Sequence, residues 1–206
     1  MAPLTSAFAR QLAHPSGVGG RAVGWLMDRA NQRPTRMALD LLDAQPGERI
    51  VDAGCGTGAA LAALMKQVPT LRLSGFDPSR AMILAAQRRL SCDVRLIQSR
   101  TADAPFAGEN FDAVLALNML YFCDAEGEMI AQLRSLLRPG GRLVAYVTDR
   151  SSMQRWGFVR VGLHKLWDEA SMRTALADAG FAPEAISVQQ RPVTRTIMGL
   201  FVHATA

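Results

Sequence analysis

The chain has 206 residues, of which 49% are hydrophobic and 20% are charged, and its formal net charge is +5. This size and composition predict one globular domain with a substantial buried core and leave little room for a second domain. No apolar run is long enough to span a bilayer, and residues 1–17 lack the basic head and apolar core of a secretory signal, so the sequence predicts a cytoplasmic protein.

The three cysteines argue against structural disulfides and against a structural metal. Cys55, Cys92 and Cys123 are odd in number and show no Cys-x-x-Cys spacing, and no paired histidine motif accompanies them. A disulfide framework needs paired cysteines, and a zinc site needs clustered ligands. The sequence therefore predicts a reduced protein without a structural metal ion.

Positive charge is concentrated near the N-terminus. Residues 1–36 contain five arginines and a single acid, Asp28, which gives this segment a net charge of +4. Such a segment could contact an anionic substrate, a lipid headgroup or nucleic acid. The codon bias of a GC-rich genome would also enrich arginine, so the charge alone does not distinguish these interpretations.

Helices and strands are expected to alternate through the middle of the chain. Residues 33–47 carry apolar side chains at helical spacing and end in Pro46 and Gly47, which predicts a helix that ends near Gln45. A short β-branched run, residues 49–54, predicts a strand that leads into a glycine turn and a helix. The alternation continues with a strand at 71–77, a helix at 78–90, strands at 93–99 and 111–120, a helix at 125–137, a break at 139–141 and a strand at 142–149.

The C-terminal part of the pattern differs from the middle. A helix over 168–181 is stopped by Gly180, and two β-rich runs, 186–194 and 196–206, follow with only Arg195 between them. Two strands in such close succession predict an antiparallel hairpin at one sheet edge. The earlier strands alternate with helices and therefore predict an α/β fold, a parallel sheet with helices on both faces.

The stretch VDAGCGTG, residues 51–58, places three glycines directly after a predicted strand. A turn without Cβ atoms lets a ligand approach the unpaired backbone N–H groups at the start of the next helix. Gly54, Gly56 and Ala59 also fit the GxGxxA pattern of dinucleotide-binding proteins. The turn therefore indicates an adenosine-containing cofactor and leaves its identity open.

Two carboxylates bear on that identity. Asp77 ends the second predicted strand, where a carboxylate can accept hydrogen bonds from both ribose hydroxyls; the alternative is that it caps the following helix. Asp52 lies two residues before the first glycine. It would repel a diphosphate and attract an ammonium and a sulfonium, so it favours S-adenosylmethionine over NAD. The short chain also leaves little room for the substrate domain that nicotinamide enzymes usually add.

Four motifs occur in one order along the chain: VDAGCGTG, GFDPS, PFAGENFDAVLALNML and LLRPGGRLV. In this order and spacing they resemble the class I S-adenosylmethionine-dependent methyltransferases, in particular the small-molecule branch called methyltransferase type 11. The resemblance implies a Rossmann-like, doubly wound sheet of seven mostly parallel strands with the last strand antiparallel. It divides the single predicted domain, residues 1–206, into an N-terminal lid segment over 1–36, a cofactor core over 48–149 and a substrate-side segment with the hairpin over 150–206.

The resemblance also implies roles for individual residues. Asp52 and the backbone carbonyl of Asn118 would orient the amino group of S-adenosylmethionine, and Asp77 would hold its ribose. Cys55 is expected to be only a small side chain, because no histidine is placed in the sequence to activate it. The remaining implied contacts are Gly54, Cys55 and Gly56 for the methionine part, Pro78 and Met82 for the adenine, and Met119 and Tyr121 near the transferred methyl group.

The sequence departs from the family pattern after the third strand. Members often have Gly-Asp-Ala there, and the acid accepts a hydrogen bond from the adenine 6-amino group. The corresponding residues are Ser99, Arg100 and Thr101. Because arginine cannot accept a hydrogen bond, the adenine contact is assigned to Thr101 and Ala102, with Asp103 as the alternative.

Two segments outside the shared core are expected to bind the methyl acceptor, since loops at the carboxyl edge of such sheets bind ligands. Residues 14–32 contribute Trp25, and residues 151–167 follow the fifth strand. Aromatic residues there could pack a flat acceptor, and arginines could pair with its carboxylate or phosphate; core packing and a solvated face are the alternatives. The candidates are Trp25, Arg155, Trp156, Arg160 and Trp167 for binding, and His164, His14 and Tyr121 for catalysis.

The leading hypothesis is S-adenosylmethionine-dependent methylation of a small molecule, anionic or aromatic, by direct displacement at an O, N or C nucleophile. One alternative is a phospholipid or fatty-acid methyltransferase whose basic N-terminal segment lies on an anionic membrane. Another is an NAD(P)-dependent oxidoreductase on the same glycine turn. No nucleic-acid partner is expected, because no basic and aromatic recognition module is present. The chain is expected to be a monomer or a homodimer.

Overall fold

The computed structural model describes residues 17–91, 93–104, 106, 108–123, 128–157, 159 and 164–206, with side chains from Asp28 onward. His14, Cys92 and Arg160 therefore lie outside the described residues, and Trp25 is described only as part of a helix. The helices are α1 Gly17–Leu42, α2 Ala59–Gln67, α3 Arg80–Arg89, α4 Glu128–Ser135, α5 Arg150–Met153 and α6 Glu169–Asp178. The strands are β1 Arg49–Ala53, β2 Arg72–Asp77, β3 Arg95–Gln98, β4 Phe111–Leu117, β5 Leu137–Thr148, β6 Ile186–Pro192 and β7 Met198–Thr205.

The strands form one seven-stranded sheet in the order β3-β2-β1-β4-β5-β7-β6. β1 to β5 pair in parallel, whereas β7 is antiparallel to both β5 and β6. This arrangement confirms the predicted α/β fold, a doubly wound, mostly parallel sheet with a terminal antiparallel hairpin.

Both faces of the sheet are buried. Ile50 and Val51, neighbours in β1, belong to two different hydrophobic clusters, as do Leu115 and Val114 in β4. Alternate side chains of a strand point to opposite faces, so each cluster fills the layer between one face and its helices. Covering both faces leaves the strand ends as the places where a ligand can reach the sheet.

The N-terminal helix is longer than the predicted one. The stretch 33–47 predicted a helix that ends near Gln45, but α1 runs from Gly17 to Leu42 and passes through Pro34. The helix ends earlier than predicted because Asp43 has a φ of +48°. A left-handed residue cannot continue a right-handed helix.

Two strand boundaries also differ from the prediction. β4 ends at Leu117 because Asn118 has a φ of +58° and turns the chain. The predicted break at 139–141 lies inside β5, which starts at Leu137. Gly140 N donates to Ala206 O at 2.9 Å and Ala206 N donates to Gly141 O at 2.9 Å, so the end of the chain supplies partners that keep this stretch in the sheet.

Among the described helices, none is both long and apolar enough to cross a membrane.

Candidate active site

A cavity of about 1000 Å³ opens at the carboxyl ends of β1, β2 and β4. The strand order reverses between β1 and β4, and ligands of doubly wound sheets bind at such a point. The volume suits a cofactor or a small molecule. The predicted cofactor residues that line the cavity are Asp52, Gly54, Cys55, Gly56, Asp77, Pro78, Met82, Thr101, Asn118 and Met119.

The glycine turn bends tightly over the end of β2. Gly54 N and Cys55 N both donate to Phe76 O, at 2.9 and 3.0 Å. Gly54 has a φ of +70°, and a Cβ on it would lie 3.2 Å from Met119 Cβ. Glycine therefore gives this position both its left-handed backbone and the close approach of the residue that follows β4.

Asp77 fixes the turn through its carboxylate. Its Oδ2 accepts from Gly56 N at 3.0 Å, and its Oδ1 accepts from Ser79 N at 2.8 Å. Burial raises the pKa of Asp77, and these two hydrogen bonds oppose that rise. Each carboxylate oxygen has a second lone pair, so Asp77 can hold the turn and still accept from a ligand. The cap and the ribose-binding interpretations are compatible in this geometry.

Asp52 lines the cavity and is only 2% exposed. Burial, and then the negative charge of Asp77, raise the pKa of Asp52 to about 8. A buried acid next to a second carboxylate is stabilised in its ionised form by a cation. The pair of carboxylates therefore makes this part of the cavity suited to a positively charged group.

Cys55 is a buried, small side chain beside β2. A Cβ on Gly75 would lie 3.0 Å from Cys55 Cβ, so the thiol occupies space that glycine leaves open. Burial, followed by the charges of Asp52 and Asp77, raises the pKa of the Cys55 thiol well above its usual range. A thiol held in its protonated form is a poor nucleophile.

Tyr121 does not face the cavity, contrary to its predicted position at the reacting centre. Its hydroxyl accepts a hydrogen bond from Thr148 N and donates to Asn118 Oδ1 at 3.4 Å. Burial raises the pKa of Tyr121, which disfavours the phenolate that a base would need. The hydroxyl instead ties the turn after β4 to β5.

Several residues of the segment after β5 pack in the hydrophobic core. Trp167 is 1% exposed, and its Nε1 donates to Leu120 O at 2.8 Å. Trp156 packs against the same core cluster, and Arg155 is exposed without lining the cavity. None of these three residues lines the cavity, and Trp167 is part of the hydrophobic core; their roles in acceptor binding stay predictions.

The end of the cavity at β4 is apolar. Leu117, Met119 and Phe122 line it beside the amide of Asn118, and Met129 of α4 is a further apolar residue of the cavity lining. The ring of Phe122 lies 5.3 Å from that of His164, centroid to centroid. His164 itself is not among the residues that line the cavity, and burial lowers its pKa. Sequence reasoning missed Phe122 and Met129, because exposure in a cavity leaves no local pattern.

The opposite end, near β2 and β3, is basic. Arg80 at the start of α3 and Arg100 after β3 both line the cavity together with Thr101. Ala102, predicted to contact the adenine, is not among the lining residues. It is exposed in a 3₁₀ turn over Thr101–Asp103, which directs it outward.

Helix α1 forms one wall of the cavity through Asp28, Asn31 and Thr35. Thr57 Oγ1, in the glycine turn, donates to Asp28 Oδ2 at 2.6 Å. Arg89 of α3 donates to both groups and forms an ion pair of 2.7 Å with Asp28. The single acid of the basic N-terminal segment was the sequence signal for this contact, but its partners are distant in sequence.

Comparisons with known proteins agree with this geometry. Residues 50–141 match the family described as "Methyltransferase domain". The trans-aconitate 2-methyltransferase of Pseudomonas paraeruginosa is 34% identical over 124 residues, which cover 59% of this chain and 43% of that protein. The trans-aconitate 2-methyltransferase of Acidovorax sp. (strain JS42) is 32% identical over 158 residues, covering 75% of this chain and 58% of that protein. The chain thus spans about half the length of these two relatives.

Solved structures share the fold at low identity. One is the complex between the Haloferax volcanii Trm112 methyltransferase activator and a putative methyltransferase, with a TM-score of 0.79, 20% identity and coverage of 98% of this chain and 97% of that chain. Another is a possible histamine N-methyltransferase from Thermotoga maritima, with a TM-score of 0.71, 19% identity and coverage of 96% and 98%. At such identities the likeness establishes the fold and not the substrate.

Proposed function

Because the chain belongs to the class I S-adenosylmethionine-dependent methyltransferases, we propose that it transfers a methyl group from S-adenosylmethionine to a small-molecule acceptor and releases S-adenosylhomocysteine. The observation that carries the proposal is the pair of buried carboxylates, Asp52 and Asp77, beside the glycine turn in the cavity. The relatives named trans-aconitate 2-methyltransferases support a small-molecule acceptor.

The residues in the cavity fit this cofactor chemically. Asp77 would accept hydrogen bonds from the ribose hydroxyls with the lone pairs that Gly56 and Ser79 leave unused. Asp52 would stabilise the α-ammonium group, and Pro78 and Met82 offer apolar surface to the adenine. A dinucleotide would bring its diphosphate close to two carboxylates, which argues against the NAD(P) alternative.

When bound, the cofactor supplies an electrophilic methyl group on a sulfonium, so the transfer needs no covalent enzyme intermediate. The cavity then has to align the acceptor and exclude water, and alignment alone is worth ~7–11 kcal/mol in favourable geometry. For acceptors that must lose a proton, His164 is the proposed base: it does not line the cavity itself, so it would act through a water molecule or after a rotation beside Phe122, whose ring it contacts. Burial lowers the pKa of His164, so its imidazole is neutral near pH 7 and able to accept a proton.

The test is calorimetric titration with S-adenosylhomocysteine and, in the same buffer, with NAD. We expect S-adenosylhomocysteine alone to bind, and Asp77→Ala to weaken it by about 2–4 kcal/mol through loss of the charged acceptor and of the contact that fixes the turn. Asp178→Ala is the matched control, since Asp178 is an exposed acid of α6 that does not line the cavity. Binding of NAD alone would overturn the proposal.

A further inference from the structure

We propose that the methyl acceptor is a neutral aromatic molecule that packs on Phe122, and not a polyanion. This inference rests on the proposed function and specifies the substrate class of the same cavity. It depends on where the reacting end of the cavity lies, on what lines that end, and on where the cationic side chains are.

The strand order sets the direction of the bound cofactor. Asp77 ends β2 and Asp52 lies in β1, and neighbouring strands are about 4.8 Å apart. A molecule whose ribose is held by Asp77 and whose ammonium group is held by Asp52 extends along the line from β2 to β1. The next strand along this line is β4, so the acceptor approaches over Asn118 and Met119.

The walls at this end are apolar, and Phe122 is open to solvent. Its exposed fraction is 39%, and within the described part of the chain Leu84 is the other large hydrophobic residue with comparable exposure. Met119 lines the same end of the cavity, and Met129 of α4 is a further apolar side chain in the cavity lining. A large aromatic ring left exposed inside a cavity is typical of a ligand-binding surface.

The Phe122 ring is also held in a fixed position. It lies edge-on to Tyr121, with centroids 6.5 Å apart and an interplanar angle of 89°, and it contacts His164 from another side. Phe122 N donates to Met119 O at 3.0 Å, and the Tyr121 hydroxyl is bonded to Thr148 N. A ring fixed in this way loses little conformational freedom when a flat molecule packs on it.

Cationic side chains lie at the other end of the cavity. Arg80 and Arg100 are the arginines among its described lining residues, and they follow β2 and β3, on the far side of Asp52 from β4. Arg155, which the sequence offered as an anion ligand, does not line the cavity. An acceptor carboxylate over β4 would meet methionine and phenylalanine side chains and the nearby Asp52, and burying it there would be costly.

The experiment titrates the protein, saturated with S-adenosylhomocysteine, with 2-naphthol and separately with trans-aconitate. We expect 2-naphthol to bind more tightly, and Phe122→Ser to weaken its binding by about tenfold, the loss of one aromatic contact and its buried surface, while S-adenosylhomocysteine binding stays unchanged. Leu84→Ser is the control: it removes the other exposed apolar side chain, which lines the cavity on α3, away from β4, and it should leave 2-naphthol binding unchanged.

The outcomes separate the two proposals. Tighter binding of trans-aconitate, or an unchanged 2-naphthol affinity in Phe122→Ser, overturns the aromatic acceptor while leaving the methyltransferase proposal intact. A wild-type protein that does not bind S-adenosylhomocysteine removes the proposed function and this inference with it. If Phe122→Ser does not fold, Phe122→Leu removes the ring and keeps an apolar side chain of similar size, and its 2-naphthol affinity decides in the same way.

Discussion

Asp52 is ionisable, buried and close to a second acid, and these properties link ligand binding to proton release. Because its pKa lies at about 8, it is protonated in the ligand-free protein at neutral pH. An ammonium group beside it favours the ionised form, so binding would release a proton below pH 8. We expect the affinity for S-adenosylhomocysteine to rise by up to about tenfold per pH unit between pH 6 and pH 8. Calorimetry in buffers of different ionisation enthalpy measures the proton released.

Asp52→Asn is the control for this prediction and should abolish the pH dependence and the proton release. The same residue affects folding with a defined sign. A pKa raised from 3.8 to about 8 stabilises the fold fully below pH 3.8 and loses that contribution as the pH rises to about 8. The free energy of unfolding of Asp52→Asn should therefore exceed that of the wild type at pH 8, and the difference between the two proteins should be smaller at pH 5. Equal slopes of stability against pH in both proteins would contradict the assignment.

At the residue scale, the two halves of the site differ in how far the sequence predicts them. Asp52 and Asp77 stand at fixed offsets from the glycine turn and from the end of a strand, so the local pattern was enough to bring them together. Trp167 was assigned to the acceptor, yet it is a core residue bonded to Leu120 O. Its burial depends on where the chain returns after β5, and no local pattern carries that information.

Helix α1 is attached to the glycine turn by a contact between three elements. Asp28 accepts from Thr57 and pairs with Arg89, although this ion pair is partly exposed, with side-chain exposures of 23% and 34%. Exposed pairs contribute little to global stability, so Asp28→Ala should lower the free energy of unfolding by less than about 1 kcal/mol. It should nevertheless speed release of S-adenosylhomocysteine up to about fivefold, because α1 forms one wall of the cavity.

Stopped-flow displacement of S-adenosylhomocysteine measures this release rate. Asp40→Ala is the matched variant, since Asp40 is an exposed acid of the same helix that does not line the cavity. A release rate unchanged in Asp28→Ala, or raised equally in Asp40→Ala, would mean that α1 does not control the exit of the ligand.

Element types were predictable from the sequence, whereas several boundaries were not. The alternation of β-branched and amphipathic runs gave every strand of the sheet. Helix α1 ended at Leu42, before the predicted end near Gln45, because Asp43 is left-handed, and Asn118 ended β4 early by adopting a left-handed conformation. The stretch around Gly140 joined β5 because it pairs with Ala206. In each case a tertiary partner or a single backbone angle outweighed the local preference.

Across the whole molecule, the site and the most buried ion pair of the described residues lie at opposite ends of the parallel strands. Arg142 of β5 makes a bidentate pair with Glu48, before β1, with both N···O distances at 2.8 Å. Its Nε also donates to Leu42 O at 2.7 Å, at the end of α1. One guanidinium therefore joins the end of α1, the start of β1 and β5, near the amino ends of the parallel strands.

This arrangement predicts a variant that affects stability without affecting the site. The two side chains are largely buried, with exposures of 17% and 14%. Arg142→Met therefore removes the guanidinium that donates to the Glu48 carboxylate and to Leu42 O. We expect a loss of about 3 kcal/mol in the free energy of unfolding, measured by urea titration at pH 7. The affinity for S-adenosylhomocysteine should not change, because the ion pair lies near the amino ends of the parallel strands and the cavity lies at their carboxyl ends.

The dependence of stability on pH below pH 5 provides an independent check of the same ion pair. Burial alone would raise the pKa of Glu48, but the bonds from Arg142 and from Gln45 N outweigh burial and lower it. A lowered pKa means that the carboxylate stabilises the fold above pH 4.5, and that this contribution is lost as the pH falls through the folded-state value. Arg142→Met should therefore lose less stability than the wild type between pH 5 and pH 3. Parallel losses in the two proteins would show that the pair contributes nothing, because a carboxylate bound to Arg142 only in the native state has to titrate differently from one that is not.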